Sequence, residues 1–147
     1  MSANADQTKV KIYRGACLCG RIRYEYSGRF GTLTYCHCRL CRKAQGTAFA
    51  TNVPIEVAKL HIIQGEELLK AYESSPGKKR VFCSVCGSPM FSHRDDNPDV
   101  LRLRIGTLDT PIDFKPMMHF FAASKAEWYD IHDDLPQFDE RPYSKKH

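Results

Sequence analysis

Residues 17–26 read "CLCGRIRYEY". Two cysteines one residue apart lead into a glycine and then into an alternating run. In that run Ile22, Tyr24 and Tyr26 alternate with Arg21, Arg23 and Glu25. Period-two alternation predicts a strand with one face buried and the other wet. The cysteine pair matters as much as the strand. In extended backbone, residues i and i+2 point to one side, so C-x-C offers two sulfurs on one face, close enough to share a metal ion. The stretch therefore suggests a β protein held by thiolate ligands.

Further cysteines extend the pattern. The chain has seven, grouped as Cys17 and Cys19, then Cys36, Cys38 and Cys41, then Cys83 and Cys86, with none outside a group. An odd count without a secretory signal argues against a disulfide framework. "CSVCG" (83–87) has the C-x-x-C turn of a zinc knuckle, followed by a glycine that relieves the turn. "CLC" and "CSVC" together supply four ligands, a closed and chemically quiet set of four thiolates. "CHCRLC" (36–41) supplies three, which leaves one position for an exogenous ligand. Spacing alone leaves this partition open, because another cysteine or a distant histidine could close the triple. An iron–sulfur cluster would use the same donors. His37, between Cys36 and Cys38, points away from their shared face and is not expected to bind the same ion.

Outward from these groups, strand signals dominate. "VLRLRIG" (100–106) alternates Leu101, Leu103 and Ile105 with Arg102 and Arg104, again one face buried and one wet. Weaker strand candidates are "KVKIYRG", "LTYCHC", "TAFATNVPI", "KLHIIQG", "LLKAYES", "KRVFC", "PMFSH" and "MMHFFAA", punctuated by Gly20, Gly28, Gly65, Pro76-Gly77 and Gly87. Many short, closely spaced strands imply antiparallel β structure in packed sheets. "RLCRKAQG" (39–46) predicts one short helix ending at Gly46. The segment after residue 123 reads as irregular, with one helical turn near Ala126–Tyr129.

Length and charge set wider bounds. A chain of 147 residues suits one domain with a core of its own. It has no run of about 18 apolar residues, so no membrane span is expected. The polar N-terminus lacks an apolar signal core. The expectation is a soluble cytoplasmic protein: a lead-in over 1–10, a single domain over 11–140 and a tail over 141–147. The formal charge of +5 mildly favours anionic partners. Without a basic extension, tracking of nucleic-acid phosphates is disfavoured.

In order and spacing, "GACLCGRIRYEYSG", "CHCRLCRKAQGTAFA" and "FCSVCGSPMF" resemble the glutathione-dependent formaldehyde-activating enzyme family, whose domain the centromere protein V homologues share. "RIGTLD" and "HFFAASKAEWYDIHDDLPQF" resemble its C-terminal half, so the likeness covers roughly residues 11–140. It implies a mainly β, β-tent fold of short antiparallel sheets stapled by a four-cysteine zinc site. It implies two zinc ions per chain: a structural one on Cys17, Cys19, Cys83 and Cys86, and a catalytic one on Cys36, Cys38 and Cys41. The implied activity is that of a carbon–sulfur lyase, forming or cleaving the S-hydroxymethyl adduct of glutathione and formaldehyde. The implied partner is a small-molecule thiol such as glutathione. Arg39, Arg42 and Lys43 flank the triple and suit the carboxylates of such a thiol. Thr47 and Phe49 are candidate pocket residues, although core packing is the simpler account of Phe49. His37 reads as a neighbouring donor or general base, or as a surface residue, His119 as a satisfied core histidine, and Trp128 as a packing residue first and a pocket wall second. The alternatives are a non-catalytic thiol carrier and a zinc-stapled module that binds nucleic acid or protein.

Overall fold

The computed structural model describes residues 10–142. Apart from Val10, Arg141 and Pro142, the expected lead-in and tail lie outside the described residues. Each strand segment named above forms a strand. In chain order these are β1 (Tyr13–Ala16), β2 (Arg23–Tyr26), β3 (Thr34–Cys36), β4 (Ala50–Glu56), β5 (Leu60–Gln64), β6 (Leu69–Ser75), β7 (Lys78–Cys83), β8 (Pro89–Arg94), β9 (Val100–Arg104) and β10 (Met118–Phe120). One α-helix, α1 (Arg39–Gln45), follows β3 and ends where Gly46 adopts a left-handed cap with φ of 67°.

The strands make two sheets. The smaller has the order β1-β2-β5, and the larger β10-β3-β4-β9-β8-β7-β6. Every pairing between these strands is antiparallel except one: β10 runs parallel to β3, which the expectation of antiparallel sheets did not contain. This return places His119 opposite Tyr35 and Phe120 opposite Cys36, so the C-terminal segment lies against the second cysteine group.

The core lies between the sheets. Ile22, Tyr24 and Tyr26 come from the small sheet side, and Val53, Ile55, Met90, Leu101 and Leu103 from the large sheet. The alternation in residues 21–26 thus divides as the sequence implies, with Ile22, Tyr24 and Tyr26 buried and Arg21 and Arg23 exposed. Both tyrosine hydroxyls are partnered, as buried polar groups must be. Tyr24 shares a 2.8 Å hydrogen bond with Thr107 Oγ1, and Tyr26 accepts one of 3.0 Å from the Glu56 N–H. Gly15 faces Tyr24 across the β1–β2 ladder. A Cβ there would lie 2.3 Å from the Tyr24 ring and 2.5 Å from the Thr107 carbonyl, so only glycine admits the tyrosine.

Residues 100–106 depart from expectation. Leu101 and Leu103 are buried, but Ile105 leaves the strand in a short 3-10 turn. The arginine face is not wet. Arg104 is only 5% exposed, and Arg102 is half-buried. The reason lies in the register. β9 is an inner strand between β4 and β8, and on its second face Gln45, at the end of α1, holds Arg104, so that face is partly covered.

Candidate metal centres

The two cysteine groups assemble as separate clusters. The Sγ atoms of Cys17, Cys19, Cys83 and Cys86 lie within 4.8 Å of one another, and so do those of Cys36, Cys38 and Cys41. Sulfurs about 2.3 Å from a tetrahedral zinc stand about 3.8 Å apart. Cys17 to Cys19 is 3.6 Å and Cys19 to Cys83 is 4.0 Å, so the first group suits such an ion without rearrangement.

The first cluster joins the sheets. Cys17 follows β1 of the small sheet, and Cys83 ends β7 of the large one. Cys17–Cys19 form a turn rather than a strand, so strand geometry is not what converges these sulfurs. The turn closes by a 3.0 Å bond from the Gly20 N–H to the Cys17 carbonyl. Backbone donors then point at sulfur: Ile22 N–H at Cys17 Sγ (3.3 Å), and Val85 and Cys86 N–H at Cys83 Sγ (3.4 and 3.5 Å). Such donors favour thiolate over thiol. A hydrogen bond from Ser88 Oγ, 3.1 Å from Cys86 Sγ, is the largest of the effects that bring Cys86 down to about 5.

The second cluster sits where β3 meets α1. Cys36 ends the strand, Cys38 is the extended residue that caps the helix, and Cys41 lies in its first turn. Here Cys38 occupies the place a serine or aspartate usually takes, and its Sγ accepts a 3.3 Å bond from the Cys41 N–H. Arg80, on β7, brings Nη1 within 3.7 Å of Cys41 Sγ. The Cys36 and Cys38 thiols, bonding toward Cys41 and aided by the Arg80 charge, hold Cys41 far below the usual thiol range. Cys36, on the proton-bearing side of the same bonds, is pushed far up. Negative charge therefore gathers on the sulfur that the guanidinium touches.

Arg80 is not the only cation on this face. Ladder partners run Arg80–Ser92–Arg102 across β7, β8 and β9, with Asn52 opposite Arg104 and Ala50 opposite Cys36. Alternation thus puts Cys36, Asn52, Arg102, Arg104, Ser92, Arg80 and Lys78 on one face of the large sheet, away from the core. Arg104 donates from Nε to Gln45 Oε1 at 2.8 Å, tying the end of α1 to the sheet. Burial lowers Lys78 to about 8 and Arg102 to about 10.

Beside Cys38 opens a groove of about 600 Å³, lined by Cys38, Arg39, Leu40, Phe121, Ser124 and Asp139 among others. That volume is of the size that takes small organic ligands. Phe121, packed against the triple, holds φ of 58°, the one positive φ outside glycine among the described residues. A left-handed phenylalanine costs about 1–3 kcal/mol and is tolerated where the surroundings dictate it.

A chain of donors and acceptors runs from the buried His37 and His119 to the exposed Asp133. His119 Nε2 lies 3.1 Å from both Asp133 oxygens, and His119 Nδ1 lies 2.8 Å from His37 Nε2. The Asp133 carboxylate accepts from His119 Nε2–H, and the second contact joins the two imidazoles ring nitrogen to ring nitrogen. Burial, with the neighbouring charges of His119, Lys125 and Arg42, brings His37 down to about 4. His37 is neutral near pH 7, and its buried Nδ1 has no hydrogen-bond partner among the described residues. His37 is thus no surface residue, and His119 is the satisfied core histidine that its aromatic setting implies.

The other candidates fall as follows. Arg39 shares the groove with Cys38. Arg42 is half-buried, with Nη1 donating to the Ser124 carbonyl at 2.8 Å and a buried Nε without a hydrogen-bond partner. Lys43 and Thr47 are exposed on the outer side and end of α1. Phe49 packs edge-on against Tyr35, His37 and Tyr129. Trp128 is 65% exposed and packs little, contrary to expectation. No motif marked Lys78, Arg80, Arg102 and Arg104 as neighbours of the triple. Their approach depends on the register of β7, β8 and β9, which no local pattern encodes.

A family model described as glutathione-dependent formaldehyde-activating enzyme matches residues 12–124. The fold is also that of a crystal structure of a Rhodobacter sphaeroides protein, with 22% identity and a TM-score of 0.56, covering 85% of this chain and 99% of that one. With the match spanning most of the chain and all three cysteine groups, this protein belongs to the glutathione-dependent formaldehyde-activating enzyme family.

Proposed function

We propose that residues 11–140 form one cytoplasmic domain that holds two zinc ions and acts as a carbon–sulfur lyase on the S-hydroxymethyl adduct of glutathione or a related thiol. The observation that carries this reading is the second cluster, where three sulfurs converge beside an open groove without a fourth protein donor among the described residues. Cys17, Cys19, Cys83 and Cys86 would hold the structural ion, and Cys36, Cys38 and Cys41 the second. When bound, the second zinc would offer its fourth position to a substrate sulfur and favour that sulfur's thiolate form.

The chain's own residues supply the rest. Cys38 is fixed by its helix-cap bond and faces the groove. Arg80 offsets the negative charge of three thiolates at Cys41. Phe121 forms an apolar wall that limits water at the sulfurs. Arg39 lies where it can meet the ligand. The addition forms one bond between sulfur and the aldehyde carbon, and the thiol proton ends on the carbonyl oxygen. Cleavage is the reverse.

The test is the exchange rate between formaldehyde and S-hydroxymethylglutathione, read by carbon-13 exchange spectroscopy with and without the protein. Acceleration that Cys38→Ser abolishes supports a lyase. An unchanged rate, with saturable glutathione binding that still needs Cys38, would make the protein a thiol carrier.

A further inference from the structure

The large sheet buries more positive charge beside the second cysteine cluster than its own acids answer. Among the described residues, the ion pairs are Arg14–Glu25, Lys79–Asp95, Arg94–Asp96 and His119–Asp133. None includes Lys78, Arg80, Arg102 or Arg104. Arg104 is accounted for locally: it donates to Gln45, to Ser92 Oγ at 3.4 Å and to the Arg102 carbonyl at 3.2 Å. Arg80 reaches Cys41 through Nη1 and Ser74 Oγ through Nε. The Lys78 ammonium and the Arg102 guanidinium have no hydrogen-bond acceptor among the described residues, and with Ser92 they line a small cleft on the same face.

Charge counting makes the surplus plain. Three thiolates around a divalent ion carry a net charge of −1, and Lys78, Arg80, Arg102 and Arg104 stand on the sheet face beside them, together with Arg94, which Asp96 answers. Unpaired cations are costly to desolvate, so a cluster of them retained half-buried points to an anion taken from outside. Planar guanidinium groups favour carboxylates, which they grip with two parallel bonds.

We propose that Lys78, Arg80 and Arg102, on the polar face of the large sheet, bind the carboxylate groups of an anionic thiol whose sulfur goes to Cys36, Cys38 and Cys41. The inference rests on the thiol reading given above, and it assigns carboxylate recognition to the sheet rather than to Arg39, Arg42 and Lys43 of α1. Selectivity then follows from charge. A thiol with its carboxylates intact binds well, and a neutral thiol binds poorly to the same sulfurs.

The experiment is calorimetric titration of the zinc-loaded protein with glutathione, glutathione diethyl ester and S-methylglutathione. It is repeated in Lys78→Gln, Arg102→Gln and Arg102→Lys, with metal content and melting measured on each. Glutathione should bind the parent about tenfold or more tightly than its diester. Lys78→Gln and Arg102→Gln should each lose most of that preference while keeping both metals, and Arg102→Lys should recover part of it. Equal binding of glutathione and diester would overturn the proposal and leave the thiol reading intact. So would glutathione binding unchanged in both Gln variants. If S-methylglutathione binds as well as glutathione, and still depends on Arg102, the carboxylate site stands and the thiol reading falls. Absence of binding by all three ligands would overturn both.

Discussion

Arg80 Nη1 lies 3.7 Å from Cys41 Sγ, across 39 residues of chain. The contact joins β7 of the large sheet to the first turn of α1 and places a fixed positive charge on one sulfur of the triple. Without that charge the three thiolates repel one another more strongly and hold their protons more tightly, so they compete less well for a metal. Arg80→Leu is therefore expected to lower metal affinity at the second site by about tenfold, in line with about 1.4 kcal/mol for one charge-assisted contact. Chelator competition at pH 7 measures it. Unchanged affinity in a well-folded variant would show that Arg80 does not act on the sulfurs.

Arg104 carries a different expectation. It is a buried cation held by neutral acceptors, so its burial costs folding energy that hydrogen bonds only partly offset. Replacing it by an apolar side chain of similar length, Arg104→Met, should leave the melting temperature of metal-free protein unchanged or raised. The same variant should retain the second metal less well, because one of the compensating charges is gone. Differential scanning calorimetry with and without chelator separates the two effects. A large loss of stability in the metal-free state would contradict this account of Arg104.

Cys83 has the opposite character. It is fully buried at the end of β7, accepts two backbone N–H bonds and links the large sheet to the turn that follows β1. Cys83→Ser should lower stability by several kcal/mol or prevent folding, because structural zinc contributes folding energy directly. Denaturant unfolding reads this out, and a variant as stable as the parent would refute the structural assignment of the first cluster.

Tyr24 offers a pH test away from both clusters. Burial raises its hydroxyl to about 12, from an ordinary value near 10. Between those values the unfolded chain loses a proton that the folded chain keeps. Stability from this group is therefore fully present below about pH 10 and declines as pH rises toward 12, by up to about 3 kcal/mol. Tyr24→Phe should be less stable at neutral pH through loss of the Thr107 bond, yet show a shallower alkaline decline. Parallel alkaline profiles for variant and parent would contradict the shift.

Much of this architecture is legible in the sequence. Ile22, Tyr24 and Tyr26 announce a half-buried strand because alternation is a local property. Gly46 and Gly87 mark turns because positive φ is a local demand, met at 67° and 80°. The cysteine groups are legible because ligand spacing is local too. What stays concealed depends on which strands become neighbours. Arg102 and Arg104 look like a wet face until β9 is known to lie between β4 and β8, with Gln45 of α1 bonded to Arg104. His37 looks free until β10 returns parallel to β3 and presents His119 and, beyond it, Asp133. Trp128 reads as a packing residue from its type and its place in the family likeness, yet it stands 65% exposed.

The central claim is that Cys36, Cys38 and Cys41 form an open site for a thiol. The most direct measurement is zinc per chain in protein purified under reducing conditions, followed by calorimetric titration with glutathione, for the parent and for Cys38→Ser. Two zinc ions and a saturable isotherm are expected for the parent. One zinc, no isotherm and most of the parent's stability are expected for Cys38→Ser. A single zinc in the parent with no heat of glutathione binding, or a Cys38→Ser variant that still binds glutathione, would contradict the claim.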